Sequence, residues 1–305
     1  MLASLRNLAV CAAAAAAVSL AGSTAQAFTT HGGYHIMPTP AYLEKLHKIG
    51  RAPGQRGTAE HMNYYGGSVF TAPRVVNVIW GPDVNPTIVS TVPGFGAALP
   101  VSTYLDQGGR EYSTKGVKSI NGHKSTKQVI GRGSYFGQVQ IKPKNKNTSL
   151  TDDDIQAELK YQIKKGKLPA ADLNTLYMIY FPVTDTITLD GLTSCVDFGA
   201  YHFATNDTKL SKKNVFYAVE PDCHSSINSI TFAASHEFME ATTDNVPTPG
   251  SFPDFPQAWN DDSGFEVADV CGGSGQLTAG SSHWTVTQFF LNSTGKCSTG
   301  SYTSP

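Results

Sequence analysis

Apolar positions along the chain recur in two periods, and the switches between them outline its elements. From Ile230 to Asn245, the residues Ile230, Ala233, Ala234, Phe238 and Ala241 fall three and four apart, which predicts a helix with a buried face. Thr151-Asp152-Asp153-Asp154 reads as a helix start, a capping Thr followed by an acidic first turn, and Ile155, Leu159 and Ile163 continue it as a buried stripe. Lysines at 160, 164, 165 and 167 suit the negative end of that helix, and Pro169 follows it. Shorter helices are expected at Ala41 to Lys48 and at Val101 to Gln107, the second broken by Gly108-Gly109. Val75 to Trp80 is β-branched and apolar on both faces, as a buried strand is, and Gly81-Pro82-Asp83 ends it. Thr175 to Phe181, stopped by Pro182, and Asn214 to Val219 predict two further strands. Residues 110 to 150 alternate polar and apolar positions among many Gly and Lys, so short antiparallel strands and loops are expected there. Taken together these elements predict an α/β (α+β) domain with a mixed sheet.

The two ends change the picture. Arg6, an apolar run from Leu8 to Leu20 and Ala25-Gln26-Ala27 form the n-region, core and cleavage site of a signal peptide over residues 1–27. That run is too short and Ala-rich for a membrane span, and no later stretch is long enough. Residues 28–59, rich in Gly, Pro and His, read as a flexible arm or propeptide, in which His31 and His35 are expected to be solvated. Residues 60–305 then form one exported domain, secreted or periplasmic. Without Arg6 the chain carries 22 basic and 24 acidic residues, a balance that argues against nucleic acid or an anionic membrane as partner. Cys11 leaves with the signal peptide, and an even set remains: Cys195, Cys223, Cys271 and Cys297. In an exported chain this favours two disulfides. Of the three pairings, Cys195–Cys223 and Cys271–Cys297 are expected, because each closes a moderate local loop.

The candidate chemistry sits on the helix from Ile230. His236 and Glu240 are four apart and project from one side, with Glu237 a quarter-turn round. This is the geometry of H-E-x-x-H, in which two helix residues hold zinc and the Glu between them acts on its bound water; here the second His is a Glu. A zinc hydrolase needs a third ligand, and Phe265-Glu266-Val267-Ala268-Asp269 supplies acidic candidates downstream. In Asn260-Asp261-Asp262-Ser263-Gly264 the full calcium-loop pattern is missing, and an exposed turn is expected. Structural Ca2+ held by carboxylates nevertheless stands as another reading of the acidic residues. His202 either faces the site, steadying an oxyanion, or packs near a disulfide, the second being favoured. Ser235 has no G-x-S-x-G around it and is set aside as a nucleophile.

Two resemblances add to these readings. The Glu266-to-Asp269 stretch resembles gluzincin metallopeptidases, where a downstream helix carries a Glu ligand and a nearby Asp buttresses the first His. That implies a zincin-like domain with an active-site helix, His236, Glu240 and Glu266 as ligands, Glu237 as base and Asp269 orienting His236. The spacing here is three rather than the usual four. Tyr64-Tyr65-Gly66-Gly67, Val76 to Gly81, Ser102 to Tyr112 and the closing Gln288 to Cys297 are similar to the plant exordium (phosphate-induced) secreted proteins. Two functions are therefore expected in competition. One is a secreted zinc-dependent hydrolase of peptide or protein substrates; the other is a non-catalytic, exordium-like extracellular binding or signalling protein.

Overall fold

The computed structural model describes residues 35–48, 61–206, 214–247 and 253–300. The expected signal peptide, His31 and much of the 28–59 arm lie outside the described residues. In chain order the main elements are β1 (Met37–Pro38), α1 (Pro40–Lys48), β2 (Arg74–Trp80), α2 (Pro86–Ala98), α3 (Thr103–Tyr112), β3 (Ser134–Ile141), α4 (Asp152–Lys164), β4 (Thr175–Tyr180), β5 (Phe198–Asn206), β6 (Asn214–Glu220), α5 (Ile227–Thr243), β7 (Ser274–Ala279) and β8 (Ser282–Thr287). The fold is α/β with a mixed sheet, as its periodicities predict.

Six strands form the principal sheet in the order β1-β5-β6-β4-β2-β3. β6, β4, β2 and β3 run parallel, whereas β5 is antiparallel to β6 and β1 antiparallel to β5. Alternate residues of each central strand feed two separate cores, the consequence of a two-residue period in strands apolar on both faces. Val76, Val78 and Trp80 of β2 join Ile155, Leu159 and Ile163 of α4. Val75 and Ile79 join Ile88, Val92 and Phe95 of α2 and Ile230, Ala234 and Phe238 of α5. One face is thus covered by α4, the other by α2, α3 and α5.

Local chemistry explains the helix ends. Thr151 and Asp154 make a reciprocal capping box at the start of α4. Asp152, buried there, accepts from Tyr201 and Tyr217 hydroxyls at 2.6 and 2.8 Å, tying α4 to β5 and β6. Ser226 caps α5 by accepting from the backbone N–H of Ser229.

Three expectations are corrected. α3 runs through Gly108-Gly109 to Tyr112. A Cβ on Gly108 would lie 2.6 Å from Met239 Sδ, so this glycine serves close packing of α3 on α5 instead of ending the helix. Residues 110–150 hold one long strand, β3, and it pairs parallel with β2 rather than forming an antiparallel hairpin. A fifth helix, α2, was not expected; Asn85 caps it and Pro86 opens it, but Pro93, Gly94 and Gly96 obscure its period.

Both expected disulfides form, Cys195–Cys223 and Cys271–Cys297. Such bonds persist in oxidising compartments. Among the described residues no single helix is long and apolar enough to cross a membrane. α2 and α3 reach that length only together, bent by 43°, and their apolar residues belong to the core.

Candidate metal centre

From Ala233 to Thr243 α5 is buried on every side, between the principal sheet and the β7–β8 hairpin, so its polar residues there have no water to face. Thr287 donates its backbone N–H to Ser235 Oγ at 2.9 Å, and Ser235 Oγ donates to Phe232 O, which makes this serine a structural link. His236, Glu240 and Asp244 lie four apart along one stripe, with Glu237 beside it, all buried. β5 brings His202 against this stripe, and the turn after Gly264 brings Glu266 and Asp269. That turn is held by the Cys271–Cys297 bond and by Phe290 donating its N–H to Val267 O at 2.8 Å.

His236 Nε2 lies 3.0 Å from Glu240 Oε1 and 3.4 Å from Asp269 Oδ1, in hydrogen-bond alignment with neither. Asp269 donates its backbone N–H to Glu240 Oε1 at 3.2 Å, while its Oδ2 accepts from the Glu266 N–H at 3.1 Å. His202 donates Nε2–H to the Asp244 carbonyl at 3.0 Å, and its Nδ1 lies 3.2 Å from Glu237 Oε2 and 3.8 Å from Glu240 Oε2. Glu266 Oε1 is 3.6 Å from His202 Nε2, and its Oε2 is 3.0 Å from His35 Nδ1. Asn260 donates to Asp244 Oδ2 at 2.7 Å. Among the described residues, those within reach of a shared ion fall into three groups: His236, Glu237 and Glu240; His202, Glu240 and Glu266; His35, Glu266 and Asp269.

The charge state follows from burial working against mutual proximity. Burial pulls the His236 imidazole down, but Glu240, Asp269 and Glu237 outweigh it and raise its pKa well above the ordinary value. Burial likewise opposes charge on His202, yet the carboxylates of Glu266, Glu237 and Glu240 carry it up to about 10. Burial lifts Glu240 to about 7, with Asp269 adding to the rise, and lifts Asp244 to about 6. Glu266 and Glu220 are pushed well above the usual carboxylate range, again by burial first. Carboxylates this deep, facing one another and three imidazoles, form a cluster able to hold a metal ion.

The sequence-derived residues converge, with changes of role. His236, Glu237 and Glu240 meet as expected. The Glu266–Asp269 stretch is a turn, not a helix, and it presents Asp269 to the Nε2 of His236 that also faces Glu240. An Asp that only oriented this ring would meet its other nitrogen. His202 is at the centre and not merely packed beside a disulfide. Of the Asn260–Gly264 turn only Asp262 is exposed; Asp261 is buried and accepts the N–H groups of Ser263 and Phe265 at 2.8 Å.

Three groups escape the sequence reading. His35, expected in solvent, is buried against Glu266 and Gln257. Glu220 ends β6 with both carboxylate oxygens buried and without a hydrogen bond. Strand parity would have found it: Phe216, Ala218 and Glu220 share the face that looks toward α5. Asp244 falls eight after His236, which continues the helix stripe.

Fold and site together define an α/β domain with a buried cluster of imidazoles and carboxylates able to hold a metal ion. No family model, curated protein or solved structure matches the chain.

Proposed function

We propose that the protein is a secreted zinc-dependent hydrolase with a zincin-like catalytic helix, most plainly a metallopeptidase. The observation that carries this reading is the convergence of His236, Glu237 and Glu240 on one buried helix, their ligand atoms within 4.8 Å of one another. The donors fit zinc in kind, being imidazole nitrogen and carboxylate oxygen. The fit is also seen in unsatisfied atoms: Glu237 Oε1 and Glu266 Oε1 are buried without a hydrogen bond, and His236 Nε2 meets Glu240 and Asp269 only as ion pairs. His236 and Glu240 are the helix ligands. Asp269, on the ligand side of His236, is better placed as third ligand than Glu266, which faces His202 and His35.

Held by His236, Glu240 and Asp269, a zinc ion would supply Lewis acidity, lowering the pKa of a bound water and polarising the scissile carbonyl. Glu237 takes a proton from that water on Oε1, the oxygen left without a partner. The water oxygen would bond to the carbonyl carbon as that proton leaves, and Glu237 would return the proton to the amine nitrogen as the C–N bond breaks. His202, through Nδ1, holds Glu237 Oε2 and so fixes which oxygen is presented. Its role is positioning, rather than the oxyanion contact that stood as the alternative to packing near a disulfide.

The test is the zinc content of the purified protein, wild type and His236→Ala, joined to a casein assay of Glu237→Gln. About one zinc per chain, lost in His236→Ala, is expected. Glu237→Gln retains the metal and loses about 10²-fold or more in rate, the usual weight of a general base. Unchanged hydrolysis in Glu237→Gln with metal retained rules out its role, and a chain that takes up no zinc sinks the hydrolase reading.

A further inference from the structure

The centre is closed. His202, Glu237, Glu240 and Glu266 are each 2% exposed or less. Neither of two surface depressions, of about 420 and 400 Å³, is lined by a residue of the centre. A hydrolase of peptides must open, and the chain's own N-terminal segment covers one rim.

That segment is bound as an extended peptide would be. β1 lies antiparallel on β5, with Met37 opposite Ala200 and Pro38 opposite Phe198. Thr39 donates its N–H to Asp197 O at 3.0 Å and its hydroxyl to Val196 O at 2.6 Å. Without β1, β5 is the outer strand of the sheet, with unpaired backbone groups beside His202. Gly199 leaves room for the occupant: a Cβ there would lie 2.6 Å from Met37 Cε. Ile36 enters the α4-side core. Gln257 donates its amide N–H to His35 Nε2 at 3.1 Å, so Nδ1 carries the proton and faces Glu266. His35 thereby covers an acidic residue of the centre. Beyond Thr39 the grip loosens: Tyr42 and Leu43 of α1 still rest against the α4-side core, but Pro40, Ala41, Glu44, Lys45 and Lys48 are exposed.

We propose that residues 35–39 are a built-in occupant of an extended-peptide site on β5, which keeps the centre covered until a peptide takes their place. Main-chain pairing supplies the affinity, as in other strand additions, and tethering lets the resident segment outcompete a free peptide. The proposal deepens the metallopeptidase reading, on which it rests for what happens after binding.

The test uses the zinc-treated mature chain and a fluorescent synthetic peptide with the sequence of residues 33–41. Peptide binding is measured by anisotropy for wild type and for His35→Ala/Met37→Lys, with casein cleavage assayed alongside. The double variant is expected to bind the peptide at least tenfold more tightly than wild type. Equal affinity, or no binding to either protein, overturns the proposal. If the variant loses its cooperative melting, the titration is repeated on wild-type chain cut at a protease sequence inserted within residues 49–60. There the same tenfold gain on cutting is required, and its absence overturns the proposal. Peptide binding by the variant with no casein cleavage upholds the site on β5 and sinks the hydrolase. Casein cleavage by both proteins with no peptide binding does the reverse.

Discussion

At the scale of single residues, Asp269 and Glu266 share one turn but face different histidines. Asp269 Oδ1 shares the Nε2 side of His236 with Glu240, whereas Glu266 lies between His202 and His35. Asp269→Asn is therefore expected to weaken zinc binding as severely as His236→Ala. Glu266→Gln should weaken it by about tenfold, the low end for a group that orients ligands. Competition against a chromophoric chelator measures both, and the opposite ranking returns Glu266 to the first coordination sphere. Which of the two faces His236 was not legible in the spacing, because their directions depend on the turn's backbone.

At the scale of elements, the site is assembled from pieces that cannot hold it alone. α5 contributes its stripe, β5 its His202, and the 265–270 turn its two acids. The turn has no helix to stiffen it; its conformation depends on the Cys271–Cys297 bond, which closes a separation of 26 residues. Cys271→Ser/Cys297→Ser is expected to lower unfolding stability by about 2–4 kcal/mol, the usual worth of a native disulfide. Zinc affinity should fall with it, because Asp269 lies two residues from Cys271. Urea unfolding with and without zinc checks this, and an unchanged affinity would show that β8 and the segment after it hold the turn unaided. The elements themselves were largely legible in the sequence: α4, α5, β2, β4 and β6 follow from their own spacing of apolar residues. α2 and the length of α3 were not, since glycine and proline there serve packing and capping and so blur the period.

At the scale of the whole molecule, the buried centre links stability to pH. Glu240 stands at about 7 against an ordinary 4.5, and His202 at about 10 against 6.5. Both bind protons more tightly folded than unfolded, so stability falls as pH rises, between 4.5 and 7 for Glu240 and between 6.5 and 10 for His202. His35, lowered by burial, acts oppositely but only below its ordinary 6.5. The chelator-treated protein is therefore expected to melt at progressively lower temperature from pH 6.5 to 9. Zinc should flatten this decline, because it takes the place of the protons on its ligands. A melting temperature that rises over that range without metal would contradict the charge distribution.

The chain's own sequence determined the α/β class, the helices other than α2, the strands β2, β4 and β6, both disulfide pairings and the stripe of His236, Glu237 and Glu240. All of these rest on near neighbours: periodicity, capping and short loop closure act over a few residues or a few turns. Only the tertiary structure decided that β3 pairs parallel with β2, that Glu220 and Asp244 join the centre, and that Asp269 rather than Glu266 faces His236. It alone brought His35 to Glu266, more than two hundred residues away in the chain, by laying β1 on the edge of β5. Strand partners are chosen by backbone groups that every residue carries, so the sequence of a two-residue strand does not say which edge it will cover.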